Sequence, residues 1–281
     1  MATSRWRLDL AYDGAAFRGF ALQPDKPTVV GAVRAAIARS LRLNEEPFLV
    51  GAGRTDAGVH AIAQVVSLDL PAEVLEASDV EGFLRSLNGQ LRGSVIVTSA
   101  RQVRDDFSAR HSAQWRAYRY LVAPAASLSP TAALAWCVAG PLDDEAMNAA
   151  AALVLGEHDF RAFCKRPADK GPGEALVRRV DEAYWTRSVD SLTLSVSGEP
   201  FYVFSIRAKA FCHNMVRRLT STLVAVGQGQ LAPHEVTARL ASLSGVGLPA
   251  PAPAAGLCLV AVGYDDSDGG PAGRWPTSEP R

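Results

Sequence analysis

The chain is predicted to adopt an α+β fold, with a mainly antiparallel central sheet and flanking helices. Three observations carry this expectation. RWRLDLAYDG alternates apolar and polar residues with the period of a strand. Val29, Val33, Ile37 and Leu41 recur with the period of a helix. The strands arrive in pairs and triples rather than in strict alternation with helices, as they do in α+β proteins.

The elements can be taken in order. Trp6, Leu8, Leu10 and Tyr12 lie on one face of the first strand and Arg5, Arg7 and Asp9 on the other, which predicts a half-buried strand ending in the Asp13-Gly14 turn. Thr28 is placed to cap the first helix. A second strand is expected from about Ile62 to Leu70, stopped by Pro71. Ser78 or Asp79 opens a short helix through Leu84 and Leu87, and SVIVTSARQV and QWRAYRYLV follow as strands. In the second half, Asp143 and Asp144 start an alanine-rich helix that stops near Gly156. RRVDEAYWTRS, LTLSVSG and FYVFSIRAKAF read as three successive strands, NMVRRLTSTLVAVG as a helix and GLCLVAVGY as a last strand. The segment from Asp265 is rich in Gly, Pro, Ser and Asp, the composition of a disordered tail. RPADKGPGEA, Arg166 to Ala175, reads as a mobile basic loop.

At 281 residues, 48% hydrophobic and 21% charged, the chain is a folded globular protein with room for one large domain or two small ones. No apolar run reaches the roughly 18 residues needed to span a bilayer, and MATSRWRLDL lacks the apolar core of a signal peptide. The four cysteines, Cys137, Cys164, Cys212 and Cys258, are far apart and form no CxxC pair, which argues against a zinc site and a disulfide framework. A reducing cytoplasm fits these features. Net charge is zero, but bases cluster in three segments. The first holds Arg92, Arg101, Arg104, Arg110, Arg116 and Arg119. The second holds Arg161, Lys165, Arg166, Lys170, Arg178 and Arg179, and the third Arg207, Lys209, Arg217 and Arg218. They are either scattered solvated arginines or, if they converge, a surface for a polyanion.

GAGRTDAGVHA, Gly51 to Ala61, is the most unusual stretch. It is not a dinucleotide fingerprint, because Asp56 stands at the third glycine's place and a strand follows. It is not a P-loop, because Val59 and His60 follow Gly58 in place of Lys and Ser or Thr. What remains is a loop carrying one carboxylate. Two accounts fit the residues. Arg54 and a tight backbone could keep Asp56 ionised as a nucleophile or base. Alternatively, Thr55 and Asp56 could simply bond to the local backbone in a polar turn.

GRTDAGVHA resembles the signature of the tRNA pseudouridine synthase A family, and the similarity runs from about Leu8 to Tyr264. It includes AYDGAAFRGF, FSARHSAQWRAYRYLV, GEHDFRAF, FCHNMVRRLTSTLVAVGQG and APAAGLCLVAVGY. Ser108, Arg92, Cys212, Asn214 and the Phe20-Ala21 pair depart from commoner residues of the family. The resemblance implies a pseudouridine synthase fold with two RRM/ferredoxin-like halves. Residues 1–123 would form the half with the Asp56 loop, residues 124–264 would complete the cleft, and residues 265–281 would form the tail.

The same resemblance implies conversion of uridine to pseudouridine at positions 38, 39 and 40 of the tRNA anticodon stem-loop, without cofactor or metal. Asp56 would be the catalytic carboxylate, Arg217 its partner, and Tyr118 a stacking and proton-transfer residue. Arg54 would help displace the base, and Leu257 would line the pocket. Arg110, Lys165 and Arg166 would bind substrate phosphates. The implied partners are tRNA and a second copy of the chain, with no membrane.

Two other functions are compatible with a lone carboxylate loop. A glycosidase or nucleoside hydrolase needs a second carboxylate across the scissile bond, and Asp13 or Asp159 could be proposed. A non-catalytic RNA-binding protein on an RRM-like sheet needs an RNP-type aromatic motif, which the sequence lacks.

Overall fold

The computed structural model describes residues 2–75, 79–124, 133–166, 171, 173–188 and 200–275. Among these residues the strands are β1 (Thr3–Tyr12), β2 (Val50–Gly51), β3 (His60–Pro71), β4 (Val95–Gln102), β5 (Trp115–Pro124), β6 (Trp136–Val138), β7 (Gly156–Asp159), β8 (Val177–Ser188), β9 (Phe201–Ala208), β10 (Leu257–Gly263) and β11 (Ala272–Gly273). The α-helices are α1 (Val29–Ser40), α2 (Val80–Leu91), α3 (Asp144–Ala152), α4 (Met215–Gly227) and α5 (His234–Ser242). This is an α+β protein with mainly antiparallel sheet. The expected strand LTLSVSG, Lys170 and Ser78 lie outside the described residues.

The chain forms two compact units, Met1–Arg116 with Cys258–Arg281, and Ala117–Leu257. The division differs from the expected 1–123 and 124–264. The reason is strand pairing: Cys258 and Leu259 pair in parallel with His60 and Ala61 of β3, which returns the end of the chain to the first unit.

In the first unit the strand order is β4-β1-β3-β10. β1 runs antiparallel to both β3 and β4, with Leu8 opposite Val66 and Ala100. Trp6, Leu8, Leu10, Val65, Leu68 and Leu70 are buried along these strands. α1 packs on α2, and α2 on β4. The Thr28 side chain accepts from the Gly31 amide at the start of α1, as a capping residue should. α2 buries Phe83, Leu87 and Leu91, a stripe at i, i+4 and i+8 that leaves Leu84 only half-buried.

Arg7 corrects the expectation of a half-buried first strand. It has no solvent exposure. Its guanidinium pairs with Asp9 at 2.8 Å, donates to the carbonyls of Asp268 and Gly270 at 2.7 and 2.8 Å, and lies over the Tyr264 ring. The partners come from the segment read as a disordered tail. Asp268 and Ala272 are themselves buried, and β11 pairs with β10. Low hydrophobicity hid this segment, because it is held by polar contacts rather than by apolar side chains.

In the second unit the strand order is β5-β9-β8-β7, with β6 beside β5. β8 and β9 pair antiparallel from Val180–Ala208 to Ser188–Phe201. α3 packs on α4 and on β8. Asp143 caps α3 by accepting from the Ala146 amide. α3 ends at Ala152, and Gly156 begins β7 rather than closing the helix. α5 was not expected: only Val236 and Leu240 are buried on it, too few to form a legible stripe.

Candidate active site

The loop from Gly51 to His60 is fastened at several positions within the first unit. The Ala52 amide donates to the Val65 carbonyl at 2.8 Å. The Ala52 carbonyl accepts from Arg116 through Nε at 3.1 Å and Nη2 at 2.7 Å. The Gly53 carbonyl accepts from Gln64 Nε2 at 2.9 Å. Thr55 is held twice, its hydroxyl 2.8 Å from the Tyr12 hydroxyl and its carbonyl 3.1 Å from the Phe20 amide. The Asp56 carbonyl accepts from the Val59 amide at 3.2 Å, closing a turn. His60 Nδ1 lies 3.1 Å from both the Gly14 amide and Asp13 Oδ1, tying the loop's end to the Asp13 turn.

Two glycines let the neighbouring chain come this close. A Cβ on Gly14 would overlap the backbone of Val59. Gly19 has φ +109°, where side chains are strained, and its α-carbon faces the Thr55 carbonyl and the Ala57 amide. Asp56 is therefore half-buried on backbone with little freedom, and Arg54 beside it is exposed.

The second unit holds Tyr118, Leu257, Arg217, Lys165 and Arg166, and Arg110 lies in the first. Tyr118 is buried on β5, its ring edge-on to Phe211 with centroids 5.2 Å apart. Leu257 is also buried. Arg217, on the first turn of α4, donates from Nε to the Ala252 carbonyl at 2.6 Å and from Nη1 to Asn214 Oδ1 at 3.1 Å. Asn214 takes φ +65° at the entry to α4, a conformation asparagine tolerates. The Tyr120 hydroxyl donates to the Pro253 carbonyl at 2.7 Å, and burial pushes its ionisation upward against the pull of Arg217. Thus Arg217, Tyr120 and residues 252–256 form one packed group.

The basic segments do not behave as unbroken charged surface. Arg116 is buried, Arg101 pairs with Asp9, Arg104 with Asp268, Arg161 with Asp159, and Arg207 with Glu182. Arg110, Lys165 and Arg166 do stand exposed. The alternative second carboxylates serve local structure. Asp13 accepts from the Ala15 amide, and Asp159 accepts from the Arg161 and Leu176 amides. Among the described residues no cluster of three or more His, Cys, Asp or Glu could hold a metal ion, and no helix is long and apolar enough to cross a membrane.

Sequence reasoning missed three residues that touch the loop or its supports: Tyr12, Gln64 and Arg116. Signals for two of them were present. Gln64 interrupts the apolar run AIAQVV, and Arg116 has the same strand parity as Tyr118 and Tyr120, which turn inward.

Comparison with known proteins agrees with this architecture. The family profile described as tRNA pseudouridine synthase matches residues 150–265. A tRNA pseudouridine synthase A of Cutibacterium acnes is 40% identical over 269 residues, covering 94% of this chain and 90% of the relative. One from Frankia casuarinae is 42% identical over 266 residues, covering 92% and 89%. One from Moorella thermoacetica is 38% identical over 263 residues, covering 92% and 98%. These matches define the class as the pseudouridine synthases, which are isomerases. The chain belongs to the tRNA pseudouridine synthase A family.

Proposed function

We propose that Asp56 is the catalytic carboxylate in a cofactor-independent isomerisation of uridine to pseudouridine at positions 38, 39 and 40 of the tRNA anticodon stem-loop. That the chain converts tRNA uridine to pseudouridine follows from its family. The observation that carries the site assignment is the fastening of Gly51–His60. Hydrogen bonds with Arg116, Gln64, Tyr12 and Phe20 hold this loop around the half-buried Asp56. A polar turn with no further task would not require so many separate restraints.

In the reaction the C1′–N1 bond breaks, the uracil turns, and C5 bonds to C1′, while the C5 proton is lost and N1 gains one. Asp56 acts as an ionised group in this sequence, as nucleophile or base. Arg217 is its charge-assisted partner, oriented by its bonds to Ala252 and Asn214. Tyr118 stacks on the displaced uracil and assists proton transfer, and Leu257 supplies an apolar wall. A stacked base must leave the helix before chemistry, and Arg54, exposed beside Asp56, stabilises the space it vacates. Arg110, Lys165 and Arg166 contact phosphates and position the RNA without reading bases. The two units are RRM/ferredoxin-like halves, and the working form is a cytoplasmic homodimer.

The test is incubation of the EDTA-treated protein with pre-folded tRNA transcripts, followed by mapping of pseudouridine with a uridine-selective adduct. Pseudouridine at positions 38–40, with no change in RNA mass and no free uracil, is the expected result. Release of uracil would indicate a hydrolase instead.

A further inference from the structure

Beneath the carboxylate loop lies a set of buried polar side chains whose donors and acceptors meet its backbone. We propose that Tyr12, Gln64 and Arg116 are positioning residues, a cradle that fixes the Asp56 loop for chemistry without contributing to tRNA affinity. The proposal rests on the reading of Asp56 as the catalytic carboxylate.

Gln64 has no solvent exposure. Its Oε1 accepts from the Val65 amide at 3.2 Å, which fixes the amide's orientation. Nε2 therefore points its two hydrogens at the Gly53 carbonyl, 2.9 Å away, and at the Tyr12 hydroxyl, 3.3 Å away. The Tyr12 oxygen, which accepts from Gln64, also shares a hydrogen with Thr55 Oγ1 across 2.8 Å. The result is a continuous hydrogen-bond chain, Gln64 to Tyr12 to Thr55, ending on the residue before Asp56. Burial pushes the Tyr12 phenol up to about 12, so the hydroxyl keeps its proton across the neutral range.

Arg116 holds the other side of the loop. Besides its two bonds to Ala52, Nη1 donates to the Ala113 carbonyl at 3.2 Å and Nη2 to the Arg110 carbonyl at 2.6 Å. One planar fork thus ties the loop before Asp56 to the backbone at Arg110. A lysine supplies donors from a single point and cannot span both places. Burying a guanidinium costs desolvation, and well-packed apolar residues often stabilise a fold as well or better. A buried arginine that donates to three carbonyls in two loops is accounted for by the geometry it imposes.

The experiment compares Tyr12→Phe, Gln64→Met and Arg116→Lys in the full chain with tRNA transcripts under single-turnover conditions. Saturating rate, Kd and Tm are measured for each. The control is Asn88→Ala, which removes the two bonds between Asn88 and Val97 that join α2 to β4. The cradle variants should lose about tenfold or more in saturating rate, with Kd within about twofold of the original. Asn88→Ala should lower Tm and leave the rate unchanged. Tyr12→Phe deletes one oxygen and keeps the packed ring, so it remains informative if the other two fold poorly. Cradle variants that lower Tm yet turn over at the original rate while folded would overturn the proposal, as would variants that lose affinity and keep rate. Asp56→Asn in the same series separates the two ideas. An inactive Asp56→Asn beside full-rate cradle variants removes the cradle alone, whereas an active Asp56→Asn removes the reading beneath it.

Discussion

The Arg116 guanidinium grips the Ala52 carbonyl with two of its nitrogens, at 3.1 and 2.7 Å, four residues before Asp56. An arginine that composition counts as surface charge thus serves as an internal brace. Arg7 serves in the same way beneath the chain's end.

Residues 265–273 should be part of the folded core. Ending the chain after Tyr264 removes the Asp268 and Gly270 carbonyls from Arg7 and the Asp268 carboxylate from Arg104. Arg7 keeps Asp9 but loses two buried carbonyl acceptors, so urea unfolding should show a loss of about 1–3 kcal/mol, the cost of leaving buried donors unsatisfied. A disordered tail would cost nothing on removal.

Two glycine-to-alanine changes should act with opposite sign. Gly14→Ala forces a Cβ into the Val59 backbone and should destabilise by about 2–3 kcal/mol. Gly89 lies inside α2 with nothing within 4 Å of its missing Cβ. Gly89→Ala should stabilise by about 0.4–1 kcal/mol by reducing the freedom of the unfolded chain. Thermal melts of the two variants check both signs.

Asp144 at the start of α3 accepts from Arg187 Nε and Nη2 at 3.1 and 2.7 Å, and this bonding holds its carboxyl below the ordinary 3.8. A carboxyl depressed on folding stabilises above its unfolded value, and that contribution is lost as pH falls through the folded one. The Tm difference between the original protein and Arg187→Ala should therefore be level from pH 5 to 7 and shrink below 3.8. The pair is half-exposed, so the level difference should be under about 2 °C. A difference that grows toward acid would refute the assignment.

Binding of tRNA should weaken steeply with salt. Lys165→Ala, Arg166→Ala or Arg110→Ala should each reduce the log–log slope by about 0.7–0.9 if the residue neutralises one phosphate. Arg217→Ala should instead depress turnover and leave the slope nearly unchanged. A salt titration alongside single-turnover rates distinguishes the two behaviours. A flattened slope with normal turnover would make Arg217 a phosphate contact.

The periodic elements were legible because burial imposes a period. β1, β3, β8, β9 and α4 appear close to where apolar spacing places them. α5 buries only Val236 and Leu240, and the two-residue strands β2 and β11 are too short to show a pattern. The Asp56 loop was legible as a place, from three glycines around a carboxylate, whereas its supports showed only as polar residues at inward positions. Gln64 and Arg116 occupy inward positions that apolar residues normally take, and only three-dimensional pairing reveals the carbonyls they meet. The tail was misjudged for the same reason. Polar segments can be core when a buried arginine needs their carbonyls, as Arg7 does.

The central claim is that the carboxylate held by this loop does the chemistry. The most direct measurement is the single-turnover rate of pseudouridine formation by Asp56→Asn at saturating enzyme, with tRNA affinity and Tm measured on the same preparation. Affinity and Tm should stay close to the original, while the rate falls by more than about a hundredfold, as loss of a nucleophile or essential base requires. A folded, tRNA-binding Asp56→Asn that retains more than about a hundredth of the original rate would contradict the account.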